Sequence, residues 1–138
     1  MKIKKMVVAG VLAASLICMQ NLSVSANNWS DTSFSVKYSG DGSEDIVTSA
    51  RAKQDSSASY NNNGGSNTTD INVCVYGVKN NTYNVCSYVL PVRKGEKKYI
   101  SNKVYPKYTK ACLGASTQNH RSHTISGWWS PDNLNCYK

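Results

Sequence analysis

The chain has 138 residues, a formal net charge of +8, nine tyrosines, three tryptophans, one phenylalanine and five cysteines. That length accommodates one domain with a modest core and excludes a multidomain architecture. The charge is uneven: residues 27–72 carry three basic against six acidic side chains, whereas residues 73–138 carry ten basic side chains against Glu96 and Asp132, so the second half is a polycation that favours anionic partners.

Residues 1–26 have the layout of a secretory signal peptide, with Lys2, Lys4 and Lys5 in front, an apolar run over 6–19, and small residues at Val24 and Ala26 before the cleavage point. The apolar run is 14 residues long, shorter than the ~18 or more of a membrane-spanning helix, so no stable membrane anchor is expected. Lipidation of Cys18 is disfavoured because Ile17 stands where such signals carry a small residue. The mature chain is then a single secreted, extracellular domain over 27–138 with four cysteines, Cys74, Cys86, Cys112 and Cys136. An even number in an exported chain predicts two disulfides. The gaps between them are wide and no CxxC occurs, which argues against structural zinc.

The first strand is predicted over residues 32–38, TSFSVKY, where Phe34, Val36 and Tyr38 alternate with Ser33, Ser35 and Lys37. The acids of GDGSEDI, residues 40–46, lack the glycine and distal glutamate of a calcium loop and are read as a turn. DIVTSARAK and DSSASYN are weaker strands, rich in small residues. Residues 61–69, NNNGGSNTT, have no apolar side chain and are expected as a flexible surface loop.

Residues 71–78 and 84–90 form the clearest hairpin, joined by KNNTY. If it is symmetric about Asn80, Cys74 lies opposite Cys86 and a cross-strand bridge is geometrically open, leaving Cys112 for Cys136. The rival pairing takes each hairpin cysteine to the C-terminal strands.

Further strands are expected over 97–103, over 108–116 with Ala111, Leu113 and Ala115 on one face, and over 122–129. Short strands at near-regular spacing predict an all-β fold, a small antiparallel sandwich or barrel that is disulfide-linked. In SGWWSPDN, residues 126–133, alternation places Trp129 inside and Trp128 outside, and Pro131 ends the strand.

Residues 92–110, VRKGEKKYISNKVYPKYTK, interleave lysine with tyrosine. Lys97, Lys98, Tyr99, Lys103, Lys107 and Tyr108, together with Trp128, are the candidate ligand-binding residues, because ammonium groups pair with anions and exposed rings stack on flat faces. For an exported protein the expected partners are an anionic cell-wall polymer, a membrane surface or a carbohydrate; nucleic acid is the less expected ligand. His120 and His123, the only histidines, would point to opposite faces of an extended strand and converge only in a loop, so a basic nuclease is a distant alternative. No cofactor motif, metal set or catalytic group is identified, and the chain is expected not to be an enzyme.

SARAKQDSSASYNNN, residues 49–63, together with SGWWSPDN resembles an uncharacterised family of small secreted proteins of Gram-positive bacteria. The shared positions are Ala50, Arg51, Lys53, Ser56, Ser57 and Tyr60 in the first stretch and Trp129, Ser130, Pro131 and Asp132 in the second. The resemblance implies a bacterial secreted β protein and no particular activity. A looser likeness to lactococcin-type bacteriocins, which are small leader-cleaved β-sandwich proteins, implies an antimicrobial role, although those proteins do not rely on cysteines.

Overall fold

A computed structural model describes residues 30–133, which form an antiparallel sandwich of two sheets. The first sheet has the order β1 (Thr32–Lys37), β10 (Thr124–Ser130), β4 (Ser59–Asn62), β8 (Lys97–Ile100). The second runs β2 (Asp45–Ile46), β9 (Lys110–Thr117), β5 (Ile71–Lys79), β6 (Thr82–Val85), with β3 (Arg51–Ala52) added to β9 and β7 (Leu90–Val92) to β5. The predicted second arm of the hairpin is thus two strands, β6 and β7, separated by residues 86–89.

Alternation places the core. On β5 and β9 the pairs Val73–Ala115 and Val75–Leu113 face inward and are fully buried, with Ala111 beside Gly77 in the same layer. Opposite them the first sheet contributes Ile100, Ile125 and Trp129. Burying each large aliphatic side chain stabilises the fold by about 1.5–3 kcal/mol, so these few residues outweigh any surface contact. Tyr38 is fully buried and its hydroxyl accepts from the Gly42 N–H at 3.0 Å, which satisfies its polar end and fixes the turn after β1. In that turn Asp41 accepts from the amide and hydroxyl of Ser43 at 2.9 and 2.7 Å, as a turn acid does.

The expected disulfides are overturned. Cys74, Cys86 and Cys112 are free thiols, and Cys136 lies outside the described residues. The hairpin turns on two residues, Asn80 and Asn81, with φ of 51° and 59°, so its centre falls between them rather than on Asn80. Tyr76 therefore pairs with Val85, and the Cys86 N–H donates to the Val75 carbonyl at 2.9 Å. Cys86 follows Val75 toward the core, whereas Cys74 points to the other face and meets Ser87, whose hydroxyl lies 3.5 Å from its sulfur. One residue of register separates a facing cysteine pair from one split across the sheet. Cys112 is fully buried beside Tyr76, and burial pushes its thiol up to about 12.

The stretch expected as a surface loop is also built differently. Asn61 and Asn62 belong to β4, and Asn61, Asn63 and Thr68 are buried. Asn63 donates its side-chain amide to the Thr69 and Val92 carbonyls at 2.7 and 3.3 Å and accepts from the Thr68 hydroxyl at 2.6 Å. A segment without apolar side chains is held here by side-chain-to-backbone bonds, which composition alone does not reveal.

The last described residues are held by a buried ion pair. Lys53 Nζ lies 2.7 Å from Asp132 Oδ1, both side chains being completely buried, and donates to the Ser57 carbonyl at 2.6 Å. The second Asp132 oxygen accepts from the Gln54 N–H at 3.1 Å, and the Ser59 hydroxyl donates to the Pro131 carbonyl at 2.8 Å. Arg51 donates to the Trp129 carbonyl at 3.3 Å. The two stretches that carry the family resemblance are therefore one interlocked structural unit.

Candidate functional site

The lysine-rich segment after β8 is anchored by three residues. The Asn102 side chain donates to the Ser59 hydroxyl and the Ile100 carbonyl at 3.1 and 3.0 Å, Val104 is fully buried, and Tyr108 is buried to 8% exposure with its N–H donating to the Val104 carbonyl at 2.7 Å. The Lys103 N–H donates to the Cys86 carbonyl at 2.8 Å and ties the segment to the end of β6. Gly77 makes the seat for Tyr108: a Cβ there would stand 2.3 Å from the ring's Cδ2 and 3.0 Å from the Cys86 sulfur. A glycine in mid-strand marks such a close approach.

With these anchors inside, Lys103 and Lys107 are left exposed. Lys107 Nζ sits 5.1 Å from the centre of the Tyr108 ring, a cation–π contact. On either side of this pair lies a cleft of about 550 Å³, one opening toward Tyr88 and Lys103 and the other toward Lys79, Tyr83 and Lys110. Lys107 and Tyr108 line both clefts, and among the described residues no aspartate or glutamate lines either one. The arrangement offers four ammonium groups and several hydroxyls to a ligand long enough to pass from one cleft to the other.

The seven candidate residues therefore separate. Lys103, Lys107 and Tyr108 meet at the clefts. Trp128, Lys97 and Tyr99 lie elsewhere, on the outer face of the first sheet, where Trp128 pairs with Asn62, Asn62 with Lys97, and Tyr60 with Tyr99. Lys98 joins neither group, because its ammonium is 2.9 Å from Glu96, whose carboxyl is held below its usual range by the Arg93 N–H and by Lys98. Trp129 is 1% exposed and Trp128 41%, the division that strand alternation predicts.

Sequence reading missed Lys79, Tyr83, Tyr88 and Lys110 as partners of this site. Lys110 stands in the same lysine–tyrosine run, but Lys79 and Tyr83 flank the hairpin turn and reach the cleft only through tertiary packing. His120 and His123 lie in the exposed connection between β9 and β10, His120 with φ of 51°, and line neither cleft. Among the described residues no group of three or more histidine, cysteine or acidic side chains is placed to hold a metal ion, and no helix is long and apolar enough to cross a membrane.

Residues 22–133 match a family model described as a protein of unknown function (DUF2712). No curated protein and no solved structure matches the chain.

Proposed function

The chain belongs to the DUF2712 family, and we propose that it is a secreted, non-enzymatic envelope protein that holds an anionic polymer across the paired clefts at Lys107 and Tyr108. The observation that carries this reading is the continuity of positive charge: Lys79, Lys103, Lys107 and Lys110 line two adjoining clefts whose walls, among the described residues, contain no carboxylate. Each exposed ammonium contributes on the order of 0.2–1 kcal/mol to an ion pair, so a monovalent anion binds weakly and a polymer that engages several lysines at once binds well. The signal-peptide layout of residues 1–26 supports export, where an extended cationic surface meets anionic polymers of the cell envelope. Lysine, tyrosine and serine suit retention of such a chain better than its cleavage, which calls for an acid and a base of matched pKa.

Titration with poly(glycerol phosphate) tests this. The triple variant Lys103→Gln, Lys107→Gln, Lys110→Gln is expected to lose at least about tenfold in affinity, and native binding to fall steeply as salt rises from ~0.05 to ~0.5 M. Equal binding by the variant, or binding indifferent to salt, would sink the proposal. A second reading, a bacteriocin-like contact with membranes, is favoured by Tyr88 and Val85, which are 89% and 65% exposed at the mouth of the first cleft beside Lys103. Tighter binding to anionic lipid vesicles than to the soluble polymer, lost on Tyr88→Ser with Val85→Ser, would select that reading.

A further inference from the structure

The outer face of the first sheet is unlike the clefts. Two cross-strand rows lie on it, Ser33–Trp128–Asn62–Lys97 and Ser130–Tyr60–Tyr99. Trp128 and Tyr99 are 41% and 51% exposed, and the Tyr60 and Tyr99 rings meet at 5.5 Å with a tilt of 43°. From β10 to β8 is two strand spacings, about 10 Å, and the two rows are about 7 Å apart along the strands. The rings therefore cover a strip rather than a point.

The strip is framed by polar groups of both signs. Asn62 places an amide between Trp128 and Lys97, and Lys97 brings an ammonium at one side. Asp31 brings a carboxylate near Tyr60, whose hydroxyl is made less acidic first by burial and then by that charge. The backbone at Gly64 runs beside Trp128: a Cβ there would stand 3.5 Å from the ring's Cζ3 and 2.7 Å from Asn62 Oδ1, so the glycine lets the segment close against both. Gly65 continues along β10, its N–H donating to the Ser126 carbonyl at 3.2 Å. The indole thus has the Gly64 backbone close on one side and stands half-exposed at the edge of the strip.

From this surface we infer a second binding site, distinct from the clefts, for a neutral glycan strand: pyranose rings stack on Trp128 and on the Tyr60–Tyr99 pair, and Asn62 and Lys97 bond to hydroxyls between them. A polyanion is the poorer occupant, since the strip offers it a single ammonium, Lys97, and places the Asp31 carboxylate near Tyr60. A sugar ring offers a flat C–H face to an aromatic ring and hydroxyls to the amide and ammonium beside it, and this strip presents both kinds of group within one or two sugar lengths. An extended peptide would instead add to the free edge of β8, since backbone pairing takes place at a sheet edge and not across the rings on its face.

The site is tested by NMR titration of the isotope-labelled mature protein with chitohexaose and with cellohexaose, each up to about 10 mM, a range that captures weak lectin-like affinity. The expected result is a set of shifts confined to Trp128, Asn62, Tyr60, Tyr99 and Lys97, unchanged in roughly 0.5 M salt. Trp128→Ala and Tyr99→Ala should each weaken binding about fivefold or more, with Trp128→Phe keeping most of it. The two alanine variants sit on different strands, so misfolding of one leaves the other decisive. No shift with either hexamer, shifts centred on the lysine clefts, or unchanged affinity in both alanine variants would overturn the inference.

Discussion

Lys53 holds a charge in the interior and is kept there by Asp132, 79 positions away in sequence. An ammonium without solvent is tolerated only when its donors are met, and here the Asp132 carboxylate and the Ser57 carbonyl meet two of them at 2.7 and 2.6 Å. Removing Lys53 leaves the Asp132 carboxylate buried without its cation, and removing Asp132 leaves the Lys53 ammonium only the more distant Asp55 carboxylate, 3.7 Å away. Lys53→Met is accordingly expected to destabilise the protein by about 3–5 kcal/mol in urea unfolding, and Asp132→Asn by a similar amount. The double variant Lys53→Met, Asp132→Leu should recover much of that loss, because no orphan charge remains. Additive losses in the double variant would show that the pair is not coupled. The sequence alone does not distinguish a ligand-binding Lys53 from one neutralised inside the fold.

At the scale of the element, the β5–β6 hairpin decides the fate of the thiols and shapes the second cleft. Its two turn asparagines both adopt positive φ, a conformation in which asparagine is tolerated and glycine is preferred at the second position. Asn81→Gly is expected to raise stability by roughly 0.5 kcal/mol, seen as a higher urea midpoint at unchanged slope. A lower midpoint would argue that the Asn81 side chain, not its backbone, supports the turn. The strands themselves were readable because alternation is local: Ala111, Leu113 and Ala115 all face inward, and Trp128 and Trp129 divide as their order requires. The centre of the hairpin was not. Placing it on Asn80 or between Asn80 and Asn81 is a choice between turn geometries that the KNNTY sequence permits equally, and it reverses the face of every residue beyond.

Across the whole molecule, the basic clefts and the aromatic strip share no lining residue: Lys107 and Tyr108 belong to one, Trp128 and Tyr99 to the other. Sites without shared partners act independently. The lysine triple variant is therefore expected to keep its response to the glycan hexamers, and Trp128→Ala its affinity for poly(glycerol phosphate), while in the combined variant each affinity falls by the factor of its own single-site variant and no more. Affinity for either ligand that depends on the other site would show that the two surfaces are one. The separation also explains why the lysine–tyrosine run looked like a single ligand stretch: adjacent positions along a strand face opposite sides, so Lys97 and Lys98 part company within one residue.

The sequence by itself determined the all-β class, the long strands β1, β5, β9 and β10, the inward and outward faces of β1, β9 and β10, and the excess of positive charge, because each of these is set by period-two alternation or by simple counting. Tertiary structure alone decided that Cys74, Cys86 and Cys112 stay apart, that Lys53 and Asp132 meet, that Asn61 and Asn63 are buried, and that Lys79 joins Lys107 at a cleft. Those outcomes depend on register and on contacts between distant segments, where a shift of one residue changes which side chains meet while leaving the local pattern untouched.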